Sequence, residues 1–169
     1  GPWADTWRVA QLTFDALGES LIVLEGANGA ALAFGPGRMI NRVYPNNRNT
    51  VIAGHRDTHF ADLKAVKVGQ LLTYQSSDGS AQTFEVIDTR IVHETQTGVL
   101  EPTTEPTLTL ITCYPFDAIA PGGPLRYVVR AQLDVPDYSL SSSARLVRVF
   151  KEALEMSSRA PSCNTGSSL

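Results

Sequence analysis

From Trp7 to Leu133 the chain consists of short apolar segments separated by clusters of Gly, Pro, Asn and Asp. The segments are rich in Val, Ile, Leu, Thr and Tyr, a pattern typical of β-strands joined by turns. The pattern predicts eight strands, at 7–14, 20–25, 30–34, 50–53, 71–75, 82–93, 107–113 and 125–133. We therefore expect an all-β fold in which eight strands close into a barrel.

Two of these segments also predict where their strands lie. Residues 82–88 alternate polar and apolar side chains, which predicts a strand with one solvent-facing side. The turn residues Ser77 to Ser80 come just before it, so we expect a hairpin of 71–75 with 82–92. Residues 108–111 are almost continuously apolar, which favours a central strand covered on both sides.

Two other segments have helical spacing. Phe60, Leu63 and Val66 predict a short helix on the barrel. Residues 143–158 predict an amphipathic helix, and the polar residues after it predict a disordered tail. The apolar face of this helix comprises Leu146, Val149, Phe150, Ala153 and Leu154. We expect a catalytic barrel domain at 1–135 and a C-terminal extension at 136–169.

Composition narrows the class of protein. The 169 residues, 43% of them hydrophobic, suffice to bury a core without a disulfide or metal. A net charge of -3 with no long basic block argues against nucleic acid as a partner. No apolar run reaches the roughly 18 residues of a membrane-spanning helix, so the chain as given is expected to be soluble. It begins without Met, which leaves room for a native signal or anchor before it.

Three polar residues lie in or at the ends of apolar strands. His55 follows Gly54, which lets the backbone turn at the strand exit, so its ring is expected at a rim or cleft. Cys113 ends a strand just before Pro115, which cannot join a sheet ladder, and its thiol is expected to be accessible. Arg126 lies early in the last strand, where a guanidinium needs an anion, a carbonyl or a partner side chain. Together they supply a thiol nucleophile, a proton-transfer partner and an oxyanion donor.

Other interpretations of these residues remain open. Taken singly, each residue has an ordinary structural interpretation. Cys113 could be a buried inert thiol, His55 a histidine satisfied by hydrogen bonds, and Arg126 a residue on a solvent-facing side of its strand. His55, Asp57, His59 and Cys113 also form a candidate zinc set, although a His-x-x-x-His pair suits a helix better than a strand end. A Cys113–Cys163 disulfide requires the tail to dock, and Cys163 is otherwise a bystander.

Around the three residues the sequence resembles the sortases, the cysteine transpeptidases of bacterial envelopes. Residues 109–113 (TLITC) are similar to the family's T-L-x-T-C signature, 51–58 (VIAGHRDT) to its histidine segment, and 125–129 (LRYVV) to its arginine strand. The segments occur in the family's order, and the resemblance covers about residues 7–135. Residues 54–58 and 113–116 are most similar to class D-like sortases, and 3–7 with 32–37 resemble the Gram-negative, marine proteobacterial branch.

The resemblance implies that Cys113 is the nucleophile, His55 the general acid/base and Arg126 the oxyanion and substrate-positioning group. The implied substrate is a protein with a C-terminal sorting motif similar to Leu-Pro-x-Thr-Gly, cleaved between Thr and Gly through a thioacyl intermediate. The acyl group passes to an amine on the envelope or on another protein. The implied setting is extracytoplasmic, on a monomer held by an N-terminal membrane anchor, with no cofactor or metal. Residues expected to contact the substrate are Thr112, Tyr114 and Ala53.

Some features differ from those of other sortases, and other functions remain open. No Asp-Pro-aromatic lid precedes the barrel, which favours an open cleft. Glu94, Glu101 and Glu105 are too loosely placed for the calcium site of some family members. A hydrolytic cysteine peptidase shares the same nucleophile chemistry, and a peptide-binding barrel with an inert Cys113 is the non-enzymatic alternative. A peptidoglycan L,D-transpeptidase fits less well, because no His-Gly pair lies shortly before Cys113.

Overall fold

The computed structural model describes residues 8–26, 35–40 and 46–135, together with Phe150, Lys151, Ala153 and Leu154. Within these residues eight strands form one closed barrel in the order β1-β2-β3-β4-β7-β8-β6-β5. The strands are β1 (Arg8–Phe14), β2 (Glu19–Glu25), β3 (Gly37–Arg38), β4 (Asn49–Ala53), β5 (Leu71–Ser76), β6 (Ala81–His93), β7 (Thr107–Tyr114) and β8 (Leu125–Leu133). The predicted all-β barrel is therefore confirmed.

The third strand of the barrel is one that the sequence did not predict. The segment predicted as a strand, 30–34, lies outside the described residues, whereas the strand that the structure has is Gly37–Arg38. It pairs in parallel with β2 and antiparallel with β4, and it closes the barrel between them. Two residues that begin with a glycine carry no alternating pattern, so the sequence predicted no strand there.

The predicted hairpin and the predicted central strand are both confirmed. β5 and β6 pair antiparallel from Leu71 opposite Glu85 to Gln75 opposite Ala81. β7 lies between β4, to which it is parallel, and β8, to which it is antiparallel. Leu108 and Leu110 are fully buried because they face the barrel interior.

The predicted short helix is a 3-10 helix, Ala61–Ala65, and a second one spans Thr97–Leu100. Phe60, Leu63 and Val66 all belong to the hydrophobic core, which explains the spacing seen in the sequence. Of the helix predicted at 143–158, only the four described residues can be compared, and they are helical. The rest of that helix and the predicted tail lie outside the described residues.

The chain divides into two units, Gly1–Asp134 and Val135–Leu169. In the part of the chain that the structure describes, no helix has the length and hydropathy needed to cross a bilayer.

Gly54 lies directly against the ring of Phe60, and this contact yields a testable prediction. A Cβ at position 54 would lie 2.7 Å from both Cγ and Cδ2 of that ring, which is fully buried. We therefore expect Gly54→Ala to lower the free energy of unfolding by about 1–3 kcal/mol, measured by urea denaturation. Gly98→Ala is the matched control, since nothing lies within 4 Å of its Cβ position. Equal stability of the two variants would mean that the Phe60 ring moves aside at no cost.

Candidate active site

The β7–β8 register brings two of the predicted site residues together. Cys113 is the direct cross-strand partner of Arg126. Side chains of such partners project from the same face of an antiparallel pair, with Cβ atoms about 4.5–5.5 Å apart. The thiol, which is partly buried and free, therefore neighbours the base of the Arg126 side chain.

His55 lies at the same end of the sheet. β4 and β7 are parallel, with Ala53 opposite Ile111, and the Gly54 amide continues this pairing by donating to the Ile111 carbonyl at 3.1 Å. His55 directly follows Gly54 and Cys113 lies two residues beyond Ile111, so both residues lie at this end of the sheet. The His55 side chain is exposed, and among the described residues no hydrogen bond joins its ring to the thiol.

A turn after β4 fixes the backbone at His55. The carbonyl of His55 accepts hydrogen bonds from the amides of Thr58 and Phe60, at 3.4 and 3.0 Å. The residue before His55 is held from β7, because the Thr112 hydroxyl donates to the Gly54 carbonyl at 2.8 Å. The residue before Cys113 thus holds the residue before His55, which links the two strand ends.

The Arg126 guanidinium is held at its outer end. Nη1 donates to the carbonyls of Gly123 and Leu125, at 2.7 and 2.9 Å, and Nη2 donates to Oε2 of Glu94 at 3.2 Å. The Arg126 side chain remains 27% exposed. Sequence reasoning missed the Glu94 contact, for which the only signal was the position of Glu94 directly after β6, the strand that pairs with β8.

A groove of about 480 Å³ crosses the outer face of the sheet. Its floor consists of Ala53, Val92, Ile111 and Val128, one from each of four adjacent strands. Arg126 lies at one end of the groove, and Cys113 is on the same face of β7 as Ile111, two residues further along. The groove therefore leads along the sheet to the thiol.

One wall of the groove comes from the connection between β6 and β7. Glu94, Thr95, Gln96, Thr97, Val99 and Leu100 all line it, and Met39 and His93 complete the lining. Sequence reasoning missed this wall, because the segment has no strand or amphipathic pattern.

The three residues expected to contact the substrate lie in different places. Ala53 lines the groove. Thr112 is only 2% exposed, and its hydroxyl is bonded within the protein. Tyr114 stacks on Tyr127 and contacts the edge of Phe116. Since alternate residues of a strand face opposite sides, Thr112 and Tyr114 point away from the face that carries Cys113.

The alternative chemistries can be compared with the same geometry. Within the described residues, no three His, Cys, Asp or Glu side chains are grouped so as to hold a metal ion. His59 instead lies 3.4 Å from the Thr58 hydroxyl, and Asp57 lies 4.0 Å from Arg56. The zinc set that the sequence offered is therefore not assembled there. Cys163, the other half of the alternative disulfide, lies outside the described residues.

Comparisons with known proteins agree with this geometry. A family model described as Sortase domain matches residues 12–134. Sortase A from Corynebacterium diphtheriae has a similar structure, with a TM-score of 0.66 and 24% identity, over 81% of this chain and 70% of that chain. The Clostridium perfringens sortase D5 transpeptidase aligns with a TM-score of 0.64 and 24% identity, over 76% of this chain and 79% of that one.

A third similar structure has a higher sequence identity. The catalytic domain of SrtD from B. anthracis is 35% identical, with a TM-score of 0.63, over 76% of this chain and 88% of that one. A search of curated proteins found no match. The family match covers most of the chain and includes His55 and the strands that carry Cys113 and Arg126. The chain therefore belongs to the sortase family and is a cysteine transpeptidase of the kind that acts outside the cytoplasm.

Proposed function

We propose that this sortase cleaves a motif similar to Leu-Pro-x-Thr-Gly between Thr and Gly and transfers the acyl group to a primary amine. The observation that carries the proposal is the cross-strand pairing of Cys113 with Arg126 at the end of an apolar groove. An extended peptide in that groove passes along the sheet and presents a carbonyl between a nucleophile and a hydrogen-bond donor. Such an arrangement serves acyl transfer.

In the first half of the reaction the Cys113 thiol gives its proton to His55, and the sulfur attacks the carbonyl carbon of the motif's Thr. Arg126 donates to the oxyanion that forms. The intermediate collapses with cleavage of the C–N bond, and His55 returns the proton to the leaving amine of Gly. A thioester on Cys113 remains.

In the second half a neutral primary amine attacks the thioester. His55 takes the proton that the attacking nitrogen loses, the C–S bond breaks, and the thiolate of Cys113 regains the proton. The product is a new amide, and the enzyme returns to its starting state. Water in place of the amine gives a free acid, which is the reaction of a hydrolytic peptidase.

The resting contacts of Arg126 are compatible with this role. A guanidinium carries five N–H donors, and the contacts to Gly123, Leu125 and Glu94 use three of them. Nε and the second proton of Nη2 have no partner within the part of the chain that the structure describes, and they are the donors proposed for the oxyanion. The groups that already hold Arg126 limit its rotation and thereby reduce the entropy lost when it binds the oxyanion.

We further propose a class D-like sortase of Gram-negative origin. The class rests on residues 54–58 and 113–116 and is supported by the 35% identity to the SrtD catalytic domain. The origin rests on residues 3–7 and 32–37. In the native protein an N-terminal anchor holds a monomeric catalytic domain at 1–135, followed by the extension at 136–169. Its partners are a sorting-motif protein and an amine on the envelope or on another protein, and not nucleic acid.

The test uses a fluorescent Leu-Pro-Ala-Thr-Gly peptide with and without glycinamide as the amine. We expect an amide product, identified by mass spectrometry, that forms only when the amine is present. Free acid as the sole product under both conditions would favour the hydrolytic peptidase. A peptide library assayed in parallel identifies the preferred sorting motif. If the protein cleaved none of the peptides in the library, the proposed function would be contradicted.

A further inference from the structure

The wall of the groove has little structure of its own. It belongs to the β6–β7 connection, residues 94–106, whose only regular element is the 3-10 helix Thr97–Leu100. No side-chain hydrogen bond caps that helix, and residues 94–98 are all exposed. Something outside the connection must therefore keep the wall at a fixed distance from the floor.

Asn49, at the start of β4, makes the contacts that do this. Its side chain is buried, at 6% exposure, and Nδ2 donates to the carbonyls of Val99 and Glu101, at 3.0 and 2.9 Å. These two carbonyls flank Leu100, which lines the groove. One amide nitrogen thus uses both of its protons to hold the backbone on either side of a wall residue.

A second side chain fixes Asn49 in turn. The hydroxyl of Thr109, fully buried in β7, donates to Oδ1 of Asn49 at 2.6 Å. This bond orients the amide so that its nitrogen faces the connection. A buried polar group with all its partners in place holds one conformation, because any other leaves donors and acceptors unpaired.

Arg130 joins the same network from β8. It is the cross-strand partner of Thr109, and its Nη2 donates to the Val99 carbonyl at 3.3 Å. Nε lies 3.5 Å from the Thr109 hydroxyl. Burial lowers the pKa of Arg130, in agreement with its position beneath the connection. The carbonyl of Val99 therefore receives donors from two strands of the sheet.

The side chains of Asn49, Thr109 and Arg130 do not line the groove. Their hydrogen bonds nevertheless connect three strands of the groove floor to the wall. We propose that Asn49, oriented by Thr109 and assisted by Arg130, is a positioning residue that sets the width of the groove. It thereby sets the affinity for the part of the peptide that lies away from the scissile bond. The proposal rests on the proposed function, since it takes the groove to be the peptide site.

Asn49→Asp is the sharpest test, because it is isosteric. The acceptor for Thr109 remains, but both donors to the connection become a carboxylate that repels the two carbonyls. We expect KM for the Leu-Pro-Ala-Thr-Gly peptide to rise at least about tenfold and kcat to change less than about threefold. Amide hydrogen exchange in residues 97–101 should quicken at least about tenfold.

Two further variants separate positioning from general destabilisation. Thr109→Val removes the orienting hydroxyl but leaves both Asn49 donors, so we expect KM to rise in the same direction as in Asn49→Asp but by a smaller factor. Val86→Ala opens a cavity in the core on β6, away from the groove, and should lower stability without raising KM. Asn49→Ser removes the amide without adding charge, and it replaces Asn49→Asp if that variant does not fold.

An unchanged KM in Asn49→Asp would overturn the proposal. A rise in KM in Val86→Ala as large as the rise in Asn49→Asp would also overturn it. Unchanged exchange in residues 97–101 would also overturn it, because the wall would then not depend on Asn49. The exchange measurement requires no turnover. A wild-type protein that cleaves no peptide would contradict the proposed function, whereas unchanged exchange in Asn49→Asp contradicts only the role of Asn49.

Discussion

Cys113→Ala is expected to abolish turnover of the Leu-Pro-Ala-Thr-Gly peptide while leaving the barrel folded. Without the sulfur no thioester forms, and the rate should fall by about 10⁴-fold or more. The fold should survive because Cys113 is on the groove face of β7, whereas the core at this strand is built by Leu108 and Leu110. Truncation of a partly exposed side chain removes little buried surface.

The chain offers its own control for this experiment. Cys163→Ser removes the other cysteine, and we expect full activity, because residue 163 belongs to the polar tail of the sequence. Alkylation of this variant with iodoacetamide, followed by peptide mass mapping, reports on Cys113 alone. Circular dichroism and the thermal midpoint check the fold of Cys113→Ala. Retained turnover would exclude Cys113 as the nucleophile, and an unfolded variant would make it a core residue.

The fold was predictable where apolar residues recur with a period or form a continuous run. The alternation in 82–88 and the continuous run at 108–111 each correspond to a strand with the predicted exposure. Gly37–Arg38 was not predictable, because its strand character comes from its neighbours. β2 and β4 lie on either side of it and supply its hydrogen bonds, and a two-residue segment holds no pattern of its own.

The candidate site was predictable to the extent that strand ends are visible in a sequence. Cys113, His55 and Arg126 were predicted as site residues because each polar residue interrupts or ends an apolar run. The hydrogen bonds that hold the groove wall and the Arg126 side chain could not be predicted, because their partners are far apart in the sequence. Asn49 and Val99 are 50 residues apart, and Arg126 and Glu94 are 32 residues apart. Adjacent residues of a strand face opposite sides, so closeness to Cys113 along the chain does not place a side chain on the face that carries the thiol. Thr112 and Tyr114 follow that rule.

The proposed assignment of the oxyanion donor to Arg126 depends on where Arg126 and Arg130, the two arginines of β8, lie relative to Cys113. Arg130 is paired with Thr109, four residues before Cys113 on β7, which places it about 13 Å along the strand from the thiol. Its guanidinium is also bonded to the Val99 carbonyl. Arg126 is paired with Cys113 itself and has N–H groups with no partner among the described residues, so we propose Arg126 rather than Arg130 as the oxyanion donor.

We therefore expect Arg126→Ala to lower kcat by roughly 10²-fold or more, as the loss of one oxyanion donor does. KM should change much less, because the donor acts on charge that develops only in the transition state. Steady-state kinetics on the peptide at saturating glycinamide separates the two constants. Arg126→Lys keeps the charge but loses the planar fork, so we expect an intermediate fall in kcat.

Glu94→Gln is the matched control for the Arg126 variants. It keeps a hydrogen-bond acceptor next to Nη2, and Glu94 is half exposed, so we expect kcat within about threefold of wild type. If Arg126→Ala retained nearly the wild-type kcat, the oxyanion donors would have to be backbone amides near Cys113. If KM rose and kcat did not change, Arg126 would bind the peptide equally in the ground and transition states, and its role would be recognition rather than catalysis.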